Sequence, residues 1–262
     1  MLLLIDVGNT NIVMGLYDGD VKKYSWRLAT RQSRTSDEYG LQVESILSHY
    51  GISRDEIHDI VIGSVVPSIQ HTLKTMCSRY LNIDPMIVGE GTKTGMPIKY
   101  DNPREVGADR VANSVAIIDK YKLPAILIDI GTAISFDVVN EKGEFIGGAI
   151  APGIGIASEA LFSRTSKLPK VELEVPDKAI GSNTIHAIQS GIVYGYIGLV
   201  DNIIENIVKD LKCDPKDVSI IATGGYASLI SQNSKYIQEY DYDITLHGMK
   251  LIYNRTIKER NE

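Results

Sequence analysis

Only two cysteines, Cys77 and Cys213, occur in 262 residues, and no His or Cys falls at the spacing of zinc ligands. Neither a disulfide framework nor a structural metal site is expected, and two reduced thiols suit a chain that works in a reducing compartment. Basic charge is short as well: 27 Lys and Arg stand against 33 Asp and Glu, for a formal net charge of −6. No Lys/Arg-dense segment offsets that balance, which argues against a nucleic-acid partner held by bulk electrostatics. A phosphate ligand would have to find local donors. Long apolar runs are also missing. No stretch approaches the roughly 18 apolar residues of a spanning helix, and the N-terminus lacks a basic region followed by a long apolar core. No membrane partner is expected, and a cytoplasmic location is. What remains, 44% hydrophobic and 23% charged residues, is the composition of a globular protein with chain enough for one large domain or two ordinary ones.

The most informative stretch is the first. Leu2-Leu3-Leu4-Ile5 is aliphatic without helical period and reads as a strand buried on both faces, ending abruptly at Asp6-Val7-Gly8-Asn9-Thr10-Asn11. A carboxylate where a buried strand ends needs a cation or a set of donors. Gly8 lets a ligand approach the backbone, and Asn9, Thr10 and Asn11 add short polar side chains. Together they suit a polyphosphate carrying a metal ion. About halfway along, Ala125-Ile126-Leu127-Ile128-Asp129-Ile130-Gly131-Thr132-Ala133 repeats the pattern. Both copies lead into β-rich stretches with glycine turns, so the chain reads as a duplicated fold with a cleft between its halves.

Between these landmarks the pattern predicts strands over Ile12–Tyr17, Val21–Ala29, Ile60–Val66 and around Val218–Thr223, and helices over Asp37–Tyr50, Ser68–Tyr80 and up to about Lys120. The polar run Thr30–Ser36 breaks the sheet pattern, and Ser36 serves as a helix start with Gly51 as its stop. Pro85–Pro103 reads as an irregular linker with one strand, delivering Glu105-Val106-Gly107-Ala108-Asp109-Arg110 into a helix. Gly147–Gly155 looks too glycine-rich for a regular element and reads as a close backbone approach, followed by a helix to about Thr165. A long helix is expected from Ile185 to about Lys212. Its Gly191, Gly195 and Gly198 cost roughly 1 kcal/mol each in propensity, so they point to a close crossing, within one subunit or between two.

Asp6-Val7-Gly8-Asn9-Thr10-Asn11, Gly107-Ala108-Asp109-Arg110, Asp129-Ile130-Gly131-Thr132-Ala133, Pro152-Gly153 and Gly224-Gly225 come in an order and spacing that resembles type III pantothenate kinases. These belong to the superfamily of acetate and sugar kinases, heat-shock ATPases and actin. The resemblance spans nearly the whole chain. It implies an α/β protein of two tandem ribonuclease-H-like (actin-like ATPase) domains, 1–115 and 116–262, with ATP between them. It implies transfer of the γ-phosphate to the primary hydroxyl of pantothenate, the first step of coenzyme A biosynthesis, by a homodimer that needs a monovalent cation, potassium or ammonium. The chain departs from the pattern at Ile134-Ser135, where many members have threonines.

Phosphoryl transfer asks mainly for positioning and charge neutralisation. Asp6 is the candidate holder of Mg²⁺, through water, because magnesium keeps much of its hydration shell. Gly8 to Val13, with Val7 and Ile12 in the same run, would face the phosphates. Asp109 is the candidate general base, orienting the hydroxyl and taking its proton late, with Arg110 keeping the carboxylate ionised and binding substrate. The resemblance assigns Asp129 to the monovalent cation, though a second magnesium ligand would look the same in sequence. It makes Thr132 a nucleotide contact, and Tyr100, Gly107, Ala108, Asp109, Arg110 and Thr184 substrate contacts. Tyr100 reads equally as packing, and Thr184 as helix capping. Two rivals stand beside this reading: a kinase for a sugar or another small alcohol, and a nucleotide-binding regulator without catalysis. Asp109 and the missing helix-turn-helix signature oppose the second.

Overall fold

The computed structural model describes residues 1–89 and 91–261, with the backbone alone at 260 and 261. The chain divides into two compact units that are discontinuous in sequence. Unit 1 comprises residues 1–95, 102–116 and 245–262, and unit 2 residues 96–101 and 117–244. The sequence-based division at 115/116 is continuous; here the passage at 116/117 lies inside a helix, and the last helix belongs with unit 1.

In unit 1, β1 (Leu2–Val7), β2 (Asn11–Asp18), β3 (Val21–Ala29), β4 (Asp59–Ser64) and β5 (Met86–Ile87) form a mixed sheet in the order β3-β2-β1-β4-β5. β1 pairs antiparallel with β2 and parallel with β4. Leu3, Ile5 and Val7 point to one face, where they pack with Tyr39, Val43 and Leu47 of α1 (Ser36–His49) and Ile69, Leu73 and Met76 of α2 (Pro67–Met76). Both faces of β1 are covered, as its unbroken aliphatic run predicts, since Leu2 and Leu4 are buried too. On that other face Gly15 and Gly63 make room for Leu246 and Met249 of α7 (Ile244–Asn261). Each fully buried Leu or Ile contributes about 1.5–3 kcal/mol.

Unit 2 repeats the plan. β6 (Ala125–Ile130), β7 (Ala133–Val139), β8 (Phe145–Pro152), β9 (Ser219–Thr223) and β10 (Glu239–Tyr240) run in the order β8-β7-β6-β9-β10, with the same senses of pairing. Ile126, Ile128 and Ile130 pack against α5 (Thr184–Leu211) through Ile192, Val193, Ile197, Val200 and Ile204, and against α6 (Ala227–Ser231) through Ala227 and Ile230. α3 (Ala108–Lys120) carries the chain from unit 1 into unit 2, and α4 (Ile154–Ser163) follows β8 within unit 2.

Four local expectations need correction. The glycine-rich run after Phe145 is a regular strand, β8. Gly147 (φ +113°) and Gly148 (φ +155°) sit beside a register shift in β7, and a Cβ on Gly148 would fall 1.6 Å from Phe136 O. Glycine there fits an irregular strand pair rather than ending it. The cap of α1 is Thr35, not Ser36: Thr35 and Glu38 form a reciprocal capping box. α2 ends at Met76, and a π-helical turn, Cys77–Leu81, carries the chain on to left-handed Asn82. Finally, the three glycines of α5 have nothing within 4 Å of where a Cβ would be, among the described residues, so no crossing within the chain uses them.

Candidate active site

The duplicated motif is a duplicated hairpin turn. In unit 1 the ladder between β1 and β2 ends at Val7↔Ile12, leaving Gly8, Asn9, Thr10 and Asn11 as the turn. In unit 2 it ends at Ile130↔Ile134, leaving only Gly131, Thr132 and Ala133. Gly8 N–H donates to Asn11 O at 3.0 Å and Gly131 N–H to Ala133 O at 3.0 Å, closing each turn on itself. Asp6 and Asp129 sit half-buried at the ends of β1 and β6, while Asn9, Thr10 and Thr132 are exposed. Ile12 is wholly buried in the core, so it has only its backbone to offer a ligand; Val13 is half-buried and opposite Asp6.

In unit 1 a second group of predicted residues comes to the same sheet end. The N–H of Val65, just past β4, donates to Val7 O at 3.1 Å, and a Cβ on Gly107 would lie 3.3 Å from Val65 Cγ1 and 2.6 Å from Asp109 Oδ1. Glycine lets the start of α3 approach closely without displacing either side chain, and it brings Asp109 to the edge that carries the first turn. From behind, α7 holds α3. A Cβ on Gly248 would fall 1.8 Å from Ala112 O, and Thr245 Oγ1 donates to Asn113 Oδ1 at 2.7 Å.

Asp109 lies in the first turn of α3 and accepts a 2.7 Å hydrogen bond from the Arg110 N–H. Burial pushes its carboxyl above the usual range; the Arg110 N–H and guanidinium pull the other way and are outweighed. Desolvation dominates, and the result is a stronger proton acceptor than a solvated aspartate, held near a helix N-terminus. Arg110 itself is buried.

In unit 2 the motif residues converge on the second turn. Gly153 N–H donates to Thr132 O at 3.1 Å, and a Cβ on Gly153 would lie 2.2 Å from that oxygen. Gly224, at φ +96°, passes so near that a Cβ would be 2.5 Å from Asp129 Oδ1, while Tyr226 N–H donates to Ile130 O at 3.1 Å. Tyr196 of α5 donates to the carbonyls of Pro152 and Gly153 at 3.1 and 3.2 Å, fixing that corner. Pro152-Gly153 and Gly224-Gly225 are thus walls of the Asp129 turn. The departure at Ile134-Ser135 is also explained in part: Ile134 points into the core, whereas Ser135 stands opposite Asp129.

The remaining predicted residues sit elsewhere in unit 2. The Tyr100 ring lies over Gly147, with its centroid 6.0 Å from that of Phe145, so it packs on β8 while staying half-exposed. Thr184 is the first residue of α5. The cap is Asn183, whose Oδ1 accepts from His186 N–H at 2.9 Å, so Thr184 is not needed for capping. It is exposed and lines a groove of about 530 Å³ with Leu161, Leu168, Ala187 and Ile188. A functional contact that sequence reasoning did not single out is Thr30, directly after β3. Its hydroxyl donates to Gly8 O at 2.7 Å and its N–H to Thr10 O at 2.9 Å. Only the strand register, which no local motif announces, puts it there.

Among the described residues no three His, Cys, Asp or Glu side chains gather as a metal cage. A magnesium ion that arrives with a triphosphate does not require one, since one or two carboxylates and the phosphates themselves complete its shell. Asp6 beside a turn of small polar groups fits that demand.

Two sheets of this order, each with an acid at the end of its first strand, define the class: the fold of the actin-like ATPases and sugar kinases. Solved structures agree at the level of fold. A candidate Baf family transcriptional activator from Campylobacter jejuni superposes with a TM-score of 0.60 at 19% identity, covering 98% of this chain and 99% of its own. The ethanolamine utilization protein EutJ from Carboxydothermus hydrogenoformans gives 0.57 at 14% identity, covering 95% and 89%. The sequence comparisons go further. The family model for type III pantothenate kinase matches residues 2–206. The type III pantothenate kinase of Geobacillus kaustophilus is 49% identical over 260 residues, 99% of this chain and 100% of that one. That of Geobacter sulfurreducens is 49% identical over 255 residues, covering 97% and 99%. The chain belongs to the type III pantothenate kinase family.

Proposed function

We propose that the protein phosphorylates pantothenate with ATP to give 4'-phosphopantothenate, the first step towards coenzyme A. The observation that carries this reading is the near-complete coverage, at about half identity, of relatives bearing that activity in their names. The pantothenate hydroxyl oxygen attacks the γ-phosphorus, the bond to the bridging oxygen breaks, ADP leaves with that electron pair, and the hydroxyl proton passes to Asp109. The raised pKa of Asp109 supports this role, since an acceptor nearer neutrality takes the proton more readily in the transition state. Gly8, Asn9, Thr10, Asn11 and Val13 face the phosphates, Thr132 contacts the nucleotide, and Asp6 holds Mg²⁺ through water; the ion supplies neutralisation of the phosphate charge. Tyr100, Gly107, Ala108, Arg110 and Thr184 contact pantothenate.

Asp129 serves a monovalent cation, potassium or ammonium, supported by Ser135 opposite it and Thr223 paired on its other side, two hydroxyl oxygens in the same register. The working form is a cytoplasmic homodimer; the dimer is supported by exposed apolar side chains of unit 2, Ile150, Ile156, Phe162 and Ile185, and by the open glycines of α5. No described helix is long and apolar enough to cross a membrane. A coupled assay across an acceptor panel tests the substrate. Turnover with pantothenate is expected, in potassium and not in sodium alone; phosphorylation of a hexose with none of pantothenate refutes the substrate assignment, and equal rates in both salts refute the role of Asp129.

A further inference from the structure

The two turns differ at one structurally equivalent position. By strand register, Ala29 opposes Asn11 and Pro152 opposes Ala133, so Thr30 and Gly153 follow β3 and β8 in the same way. Each gives its N–H to a turn carbonyl, Thr10 O at 2.9 Å and Thr132 O at 3.1 Å. In unit 2 there is no room for more, because a Cβ on Gly153 would lie 2.2 Å from Thr132 O and 2.5 Å from Gly131 O. The turn of unit 1 is one residue longer, and the space it opens holds the Thr30 side chain, whose hydroxyl takes Gly8 O at 2.7 Å.

The result engages three of the turn's four carbonyls. Gly8 O is taken by Thr30 Oγ1, Thr10 O by Thr30 N–H, and Asn11 O by Gly8 N–H. A carbonyl engaged by an internal donor is not aimed at an incoming anion, and a longer turn has more freedom to aim it there. Thr30 is itself held. The Tyr39 hydroxyl accepts from Arg31 N–H at 3.1 Å and donates to Arg31 O at 3.3 Å, and Tyr39 is fully buried in the core at the start of α1.

We propose that Thr30 is the positioning residue of the nucleotide turn, its hydroxyl withdrawing the Gly8 carbonyl so that the Gly8–Asn11 turn does not present that oxygen to the triphosphate. This rests on the kinase reading above and assigns a residue that touches the turn rather than the substrate.

Thr30→Val keeps the shape and removes the hydroxyl; Thr30→Ser restores it. With Mg-ATP as the probe, Thr30→Val is expected to raise both the dissociation constant and the KM for ATP about tenfold, the scale of one hydrogen bond, leaving the KM for pantothenate near wild type. Thr30→Ser is expected to return ATP affinity to within about twofold. Tyr39→Phe, which leaves Thr30 in place, should move the same constant in the same direction by less, and gives a second reading if Thr30→Val does not fold. Wild-type ATP affinity in Thr30→Val, or in Tyr39→Phe where that is the reading available, overturns the inference. So does a uniform loss, in which both KM values and kcat worsen together and serine does not rescue. If the wild type binds Mg-ATP but never phosphorylates pantothenate, the substrate assignment fails while the Thr30 comparison stands; if it binds no ATP, both fail.

Discussion

The two halves of the chain build the same hairpin at the same place and finish it differently. In unit 2 the Asp129 turn is three residues long and walled by glycines, with Gly153 and Gly224 pressed against its carbonyls and its acid. In unit 1 the Asp6 turn is four residues long, carries three polar side chains, and is tied by a threonine hydroxyl. In unit 1, Gly107 and the start of α3 also bring Asp109, whose pKa burial raises, beside the turn. One scaffold used twice ends in two kinds of turn, and the division of labour proposed above follows that difference: a tight turn defined by backbone contacts suits a small fixed cation, and a longer, side-chain-bearing turn suits a triphosphate that must come and go.

The sharpest way to break that division is to remove the acid that α3 brings to the first turn. Asp109→Asn keeps the size and the hydrogen bond from Arg110 N–H but cannot take a proton. Turnover is expected to fall by about 10² or more, with Mg-ATP affinity close to wild type. Single-turnover kinetics with saturating ATP check it, and an unchanged chemical step would move the proton acceptor to another group.

Next in size is a matched pair of alanines. Gly153→Ala forces a Cβ to 2.2 Å from a backbone oxygen that cannot rotate away, and should cost about 3 kcal/mol or more. Gly8→Ala meets only Asn11 O, at 3.2 Å, in a turn with exposed neighbours, and should cost about 1 kcal/mol or less. Denaturant titration of both proteins measures the difference. Equal costs would mean that the two turns are equally tight and that the contrast drawn from their lengths is wrong.

Much of this was legible beforehand, and the boundary is instructive. β1 and β6 announced themselves because a strand buried on both faces must be aliphatic throughout, and their acids stood out because burial forbids them without a reason. Pro152-Gly153 was recognisable as part of a close backbone approach, though not which surface it approaches, and Gly224-Gly225 stood out through the resemblance. β8 was misread since its glycines serve an irregular pairing with β7, a property of two strands rather than one. Thr30 was invisible for the same reason: its partner is 22 residues away and fixed by register. The direction of the Asp109 shift required burial to be known, because a neighbouring arginine and a dry environment pull oppositely and sequence shows only the arginine.

The smallest expected effect follows from that shift. Because the folded protein holds the Asp109 proton more tightly than the unfolded chain, the native state binds more protons between the ordinary carboxylate pKa, about 3.9, and the raised one. Stability attributable to this group therefore falls as pH rises through that window, and the ionised, buried carboxylate is a standing cost at neutral pH. Asp109→Asn removes the cost and its pH dependence. The variant should resist denaturant better than the wild type at pH 8, and the gap should close as the pH is lowered through the raised pKa, where the wild type takes up its proton. Activity of the wild type should decline along the same limb, as the base is lost. A gap that stays constant from pH 8 down into the ordinary carboxylate range, about 3.9, would show that Asp109 is no more costly to ionise in the folded protein than in water, and the stability given up at unit 1 for catalysis would have to be sought in another side chain.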